Sequence, residues 1–366
     1  MPLQAPEILI LKTAALGDVL RTTSILPGLA ACHPGARITW VTAPAALDLV
    51  RTNPRLAEVL ALDLRSAASL ETVAARLAAR RWRWVISLDD EEPLCALAAR
   101  LETERLSGAH LDAQGRRVYT ADVAPWFDMG LLSVHGKQEA DRRKVLNTKS
   151  HPQIYAEMLG LPMGQPELVL PASSRERAQR FAQEHALDGH GPVVGLNTGA
   201  GGRWVSKQLP VDRTVELAAA LARERRGRAS FLVLGGDSES ARNREIVAGL
   251  ARHAVKPAFV DAGTDHALLD FAALVERCQL LVSSDSLALH VGIALDVRCV
   301  AFFAPTSAAE IELYGLGEKV QSTAPDYCSY RPDADNASVS VERLLPACLR
   351  QLELATSDAP GRVRRA

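Results

Sequence analysis

Residues 7–12 read EILILK and run directly into residues 13–18, TAALGD, and this junction decides the fold. The first six form a short apolar run, the pattern of a parallel strand covered on both faces. Gly17 permits a tight turn at its end. Val19, Thr22, Leu26, Leu29 and Ala30 then recur at helical spacing. A buried strand, a glycine turn and a helix are the opening of a parallel α/β sheet.

The same alternation continues outward from this unit. Further strands are expected at 37–42, 58–62 and 83–88, with helices at 43–51 and 66–81 between them. The pattern restarts in the second half, with strands at 193–197, 230–234, 258–261, 280–283 and 299–303. Helices at 211–226, 239–253, 266–277 and 286–295 separate them. Between the halves, Pro162, Gly164, Pro166 and Pro171 interrupt the periodicity over residues 161–174, the expected hinge. We expect one Rossmann-like domain over 1–165 and a second over 175–340. A closing helix over 341–355 and a disordered tail over 356–366 complete the chain.

Composition narrows the function. The 366 residues carry 42 basic and 43 acidic side chains, so there is no basic excess of the kind a nucleic-acid binder shows. Aromatics are only 5%, which leaves no evident stacking platform for a polymer. The six cysteines, at 32, 95, 278, 299, 328 and 348, include no C-x-x-C pair. Cys278 and Cys299 sit in apolar runs and read as small buried hydrophobes. Neither a secretory leader nor an apolar stretch of membrane-spanning length is visible, so a cytoplasmic protein is expected.

Four strand ends carry residues suited to ligand chemistry. In open α/β sheets ligands bind beyond the carboxyl ends of the strands. The first end is the 13–18 loop, where Asp18 reads as the N-cap of the following helix or, in a crevice, as a general base; position alone leaves both open. The second is NTGAGGRWVSK, residues 197–207. Thr198, Gly199, Gly201 and Gly202 offer backbone amides with little bulk, and Lys207 follows as a point charge. This is neither a P-loop nor a dinucleotide fingerprint. The third is LVLGGDSE, residues 232–239, where Gly235 and Gly236 precede Glu239, a carboxylate suited to a ribose diol or to the first turn of a helix. The fourth is VSSDSLALH, residues 282–290, in which Ser286 is suited to cap a helix and His290 lies one turn further on.

Taken in order, these segments resemble glycosyltransferase family 9, the heptosyltransferases. The family's S-x-x-G-D reads Ala14-Ala15-Leu16-Gly17-Asp18 here, and its W-x-x-K-x-W-P reads Trp204 to Pro210 with Leu209 for the second tryptophan. Gly235, Gly236 and Glu239 match its glycine pair and glutamate. Asp285-Ser286-Leu287-Ala288-Leu289-His290 matches D-S/T-G-x-x-H with Leu287 for the glycine, and Phe303-Ala304-Pro305-Thr306 matches F-G-P-T. Arg298 replaces a usual proline.

The resemblance implies a GT-B fold, two Rossmann-like domains facing across a cleft, with the donor on the second and the acceptor on the first. It implies inverting transfer of heptose or a related sugar from an ADP-linked donor to a cell-surface glycolipid or glycan resembling a lipopolysaccharide core. Asp18 would be the base and Lys207 would neutralise the departing diphosphate. Thr198, Gly199, Gly201, Gly235, Glu239, Asp285, Ser286, Leu287 and His290 would surround the donor. Neither cofactor nor metal is implied, and Asp89-Asp90-Glu91-Glu92 has the wrong spacing for a metal-binding D-x-D. The basic stretch 133–150 reads as a solvated segment or as an anionic-acceptor patch through Arg142, Arg143 and Lys144. The resemblance also admits peripheral contact with the inner membrane face. A nucleotide-sugar epimerase and a non-catalytic nucleotide- or glycan-binding relative are the alternatives.

Overall fold

The structure is a computed structural model that describes residues 5–201 and 204–357. The chain forms two compact units, Met1–Val169 and Leu170–Ala366.

In the first unit, β1 (Glu7–Leu11), α1 (Leu16–Thr22), α2 (Ile25–Cys32), β2 (Arg37–Thr42), α3 (Leu47–Val50), β3 (Glu58–Ala61) and α4 (Ala67–Ala78) follow the expected alternation. Next come β4 (Trp84–Ser87), α5 (Glu92–Arg100), β5 (Leu106–Leu111), β6 (Arg117–Tyr119), α6 (Ala124–Phe127), α7 (Lys137–Leu146) and α8 (His151–Leu159). The sheet order is β3-β2-β1-β4-β5-β6, parallel except for the final hairpin partner β6. Central β1 has Ile8, Leu9, Ile10 and Leu11 fully buried, which explains its unbroken apolar run. Leu9 and Leu11 pack with Val41, Leu60, Leu77, Val85 and Leu94 in one core. Each such side chain contributes about 1.5–3 kcal/mol by leaving water.

The second unit runs α9 (Ala172–Glu184), β7 (Val193–Asn197), α10 (Val211–Glu224), β8 (Ser230–Leu234), α11 (Ser240–Arg252), β9 (Ala258–Asp261) and α12 (Leu268–Glu276). It continues through β10 (Leu280–Ser284), α13 (Leu287–Ala294), β11 (Arg298–Phe303), β12 (Gly317–Gln321) and α14 (Val341–Ser357). All six strands are parallel, in the order β12-β11-β10-β7-β8-β9. Val194, Phe231, Val282 and Val300 pack with Leu217 and Leu221 of α10 and with Leu344, Cys348 and Leu352 of α14. Cys278 and Cys299 are free thiols inside this unit, and burial pushes the Cys278 thiol up to about 12.

Both sheets reverse their strand order at one place, between β1 and β4 in the first unit and between β7 and β10 in the second. There the crossovers leave in opposite directions and open a crevice at the carboxyl ends. The closing helix runs to Ser357, past the expected 355, and the rest of the expected tail lies outside the described residues. Helix α9 starts at Ala172, inside the stretch read as hinge.

Candidate active site

At the second unit's reversal, β7 ends at Asn197 and β10 at Ser284. The Asn197 amide joins the two ends: its Nδ2 lies 2.8 Å from the Gly199 carbonyl, 3.0 Å from Ser283 Oγ and 3.1 Å from Ser286 Oγ. Ser286 is the N-cap residue of α13, but its hydroxyl makes no capping bond, contrary to the sequence expectation. Asn197 and Ser283 engage it instead. Leu287 then opens α13 in the place where the family motif has glycine.

The glycine loop is built for close approach. A Cβ on Gly199 would stand 2.5 Å from Cδ of Glu239, and Gly201 has φ +75°. Glu239 itself is 3% exposed. Its Oε2 accepts the Gly236 N–H at 3.0 Å and its Oε1 accepts the Ser238 hydroxyl at 2.8 Å. It therefore lies under the two glycine loops and bonds back to Gly236 at the start of its helical turn, the helix-start alternative of the sequence reading. A Cβ on Gly235 would stand 2.9 Å from Asn243 Nδ2. Thr198 is likewise turned inward: its hydroxyl bonds Asn243 Oδ1 and lies 2.9 Å from the Leu234 carbonyl, which also accepts its N–H at 3.1 Å. Arg242 donates to the carbonyls of Thr198 and Leu209 from behind the loop, and burial lowers its guanidinium pKa.

The charged centre is Lys207, Asp285 and His290. Lys207 Nζ donates to the Asp285 carbonyl at 2.8 Å and to Oδ2 at 3.0 Å. His290 Nε2 lies 3.6 Å from Asp285 Oδ1, too long for a direct hydrogen bond but close enough for electrostatic contact. The indole of Trp204 stands 5.6 Å from Lys207 Nζ, within reach of a cation–π contact. These residues place a cation, held by the Asp285 carbonyl and carboxylate, beside a glycine loop.

In the first unit Asp18 is not the N-cap. Ala15 holds that position, and Asp18 is the third helical residue. Its Oδ2 accepts the Ala15 N–H at 3.4 Å and its Oδ1 pairs with Arg21 Nη2 at 2.9 Å. The carboxylate is 39% exposed. At the same reversal, Asp89 bonds Lys12 and the loop residues Thr13 and Ala14.

The basic stretch is a helix, α7, and its cations already have partners. Arg142 and Arg143 bond Glu139, and Arg143 also reaches Asp128 at 3.0 Å. These bonds pull the Glu139 carboxyl down to about 2. Lys144 is half-buried. Among the departures from the family motifs, Leu209 packs in the second core, Arg298 lies at the start of β11, bonded to Gln351 at 3.0 Å, and Leu287 stands at the second unit's crevice. Sequence reading missed Asn197, Arg242, Asn243, Arg21 and the Lys12–Asp89 pair. Asn197, Lys12 and Asp89 carry the signal of a polar residue at a strand end, whereas Arg21, Arg242 and Asn243 lie in helices α1 and α11 and carry none. Among the described residues, no helix is long and apolar enough to cross a membrane.

The family model for glycosyltransferase family 9 (heptosyltransferase) matches residues 126–333. The chain is 24% identical to lipopolysaccharide heptosyltransferase 1 of Pseudomonas aeruginosa, over 94% of each chain. Among solved structures it is similar to a family 9 glycosyltransferase of Veillonella parvula, with TM-score 0.75, 22% identity and coverage of 97% of this chain and 99% of that one. It is also similar to the ADP-heptose lipopolysaccharide heptosyltransferase II of E. coli, with TM-score 0.65, 18% identity and coverage of 96% and 99%. With two Rossmann-like units, a glycine loop ahead of Lys207 and Asp285 paired to that lysine, the chain belongs to glycosyltransferase family 9 and has the GT-B fold.

Proposed function

We propose that this chain transfers heptose from ADP-heptose to a glycolipid resembling a lipopolysaccharide core, with inversion and without a metal ion. The observation that carries the reading is the Lys207–Asp285 pair at the second reversal, where a departing diphosphate can take the lysine from its carboxylate partner. The donor belongs to the second unit, held by Gly199, Gly201, Lys207 and the residues from Asp285 to Leu287, with Gly235, Glu239 and Thr198 supporting the loop. His290, 3.6 Å from Asp285, belongs to the same donor surround. The acceptor belongs to the first unit. Its hydroxyl oxygen attacks the anomeric carbon while the bond from that carbon to the diphosphate oxygen breaks. Asp18 takes the hydroxyl proton, and Lys207 neutralises the charge on the leaving ADP. A phosphorylated acceptor would compete with Glu139 for Arg142 and Arg143, with Lys144 beside them. The protein works in the cytoplasm, and its acceptor is presented at the inner membrane face.

The test couples binding to turnover. ADP at about one hundred times its Kd should stabilise the fold by about 2.7 kcal/mol, whereas UDP, GDP, CMP and NAD should not. Asp18→Asn should keep that ADP response and lose at least about a thousandfold in transfer from ADP-heptose to a heptose-accepting core. Stabilisation by UDP or GDP alone would reject the donor; near-normal turnover by Asp18→Asn would reject the base.

A further inference from the structure

The first unit's reversal holds a carboxylate of the protein itself. Asp89 and Lys12 are both buried, and Asp89 Oδ1 pairs with Lys12 Nζ. Asp89 Oδ2 accepts the Thr13 N–H, the Thr13 hydroxyl at 3.0 Å and the Ala14 N–H at 3.2 Å. Lys12 Nζ also donates to the Ala14 carbonyl, and the Lys12 carbonyl accepts the Trp40 indole N–H at 3.1 Å. The next amide along, that of Ala15, donates to Asp18. Every residue from Lys12 to Ala15 is thus tied to one of two carboxylates, one buried and one open.

Consecutive backbone N–H groups converging on one point form a concavity that suits an anion. In this unit Asp89 occupies it. A buried ion pair is a poor source of net stability, because hydrocarbon of the same volume usually does as well. What the pair supplies is a fixed path for the loop.

We infer that Asp89 is a positioning residue for transfer: its carboxylate, balanced by Lys12, fills the anion position at the end of β1 and fixes the loop that presents Asp18. The inference rests on the reading of Asp18 as base. It also means that the first unit does not take nucleotide at its own reversal.

Asp89→Ala vacates the position, and added formate is a carboxylate small enough to refill it. With ADP-heptose and a heptose-accepting core, Asp89→Ala should lose about a hundredfold in kcat with donor KM and ADP-induced stabilisation held within about twofold. Formate at about 100 mM should restore at least about tenfold of that loss and leave wild type and Asp18→Asn unmoved. A kcat for Asp89→Ala within about threefold of wild type, or a loss that formate leaves untouched, overturns the inference. Should Asp89→Ala fail to fold, Lys12→Met with Asp89→Leu removes both charges together: folded and slow supports the role, folded and fast overturns it. If Asp18→Asn turns over normally in the same assay, the base reading has failed; if only Asp89→Ala does, the positioning role alone has failed.

Discussion

The two sheets reverse strand order at equivalent places, yet the crevices are furnished oppositely. Between β1 and β4 a buried carboxylate, Asp89, already occupies the loop amides, and its counter-ion Lys12 is buried with it. Between β7 and β10 the glycine loop is narrow, and Lys207 rests on Asp285 at the edge of solvent. The same architecture therefore holds a more deeply buried ion pair in one unit and a less deeply buried one in the other. Burial differs in degree: the Lys12 and Asp89 side chains are 6% and 8% exposed, those of Lys207 and Asp285 16% and 18%, and the pair further from water is the costlier to part.

The sharpest way to break this comparison is Lys207→Met. If that lysine is the exchangeable cation, kcat should fall by about a hundredfold to a thousandfold in steady-state transfer, while melting temperature without ligand moves little. A variant that unfolds instead would mean Lys207 is as structural as Lys12.

Gly199→Ala probes the loop. The added methyl meets Glu239, which is held by Gly236 and Ser238, so the second unit should lose about 1–3 kcal/mol in denaturant unfolding and its response to ADP should fall with it. A tolerated alanine would show that Glu239 can move out from under the loop.

A smaller effect is expected on the first unit's surface. Replacing Arg142, Arg143 and Lys144 together with glutamate should raise the acceptor KM about tenfold and leave donor KM alone, because Glu139 already engages both arginines and Lys144 is half-buried. Unchanged acceptor KM would make α7 a solvated helix and nothing more.

The smallest concerns Glu91, beside the first unit's reversal. Burial, and then the nearby Asp89 charge, raise its carboxyl above the ordinary value of 4.5. A raised folded pKa contributes stability that is full below the unfolded value and is lost as pH rises through the folded one. Glu91→Gln should therefore gain on wild type as pH climbs from 4 toward neutrality, by about 1–2 °C in melting temperature. A gap that does not change with pH would remove the electrostatic cause.

The sequence by itself determined the features that live within a few residues. Apolar runs such as 7–12 and 230–234, the glycines after them and the helical spacing that follows are local consequences of sterics and burial, and they suffice for two parallel sheets. The ordered motifs around Asp18, Lys207, Glu239 and Asp285 also carried the family. Strands β5, β6 and β12 went unread: β6 and β12 are sheet edges, β5 lies next to one, and none of the three carries a continuous apolar run. Only the tertiary structure decided the pairings. Lys12 meets Asp89 across 77 positions and Lys207 meets Asp285 across 78, and no spacing rule reaches so far. It also decided orientation: Thr198 and Glu239 follow the ends of β7 and β8, and their polar atoms bond within the protein. A residue's type says which bonds it can make, and packing chooses the partner, because a buried polar group must be satisfied by whatever the fold brings beside it.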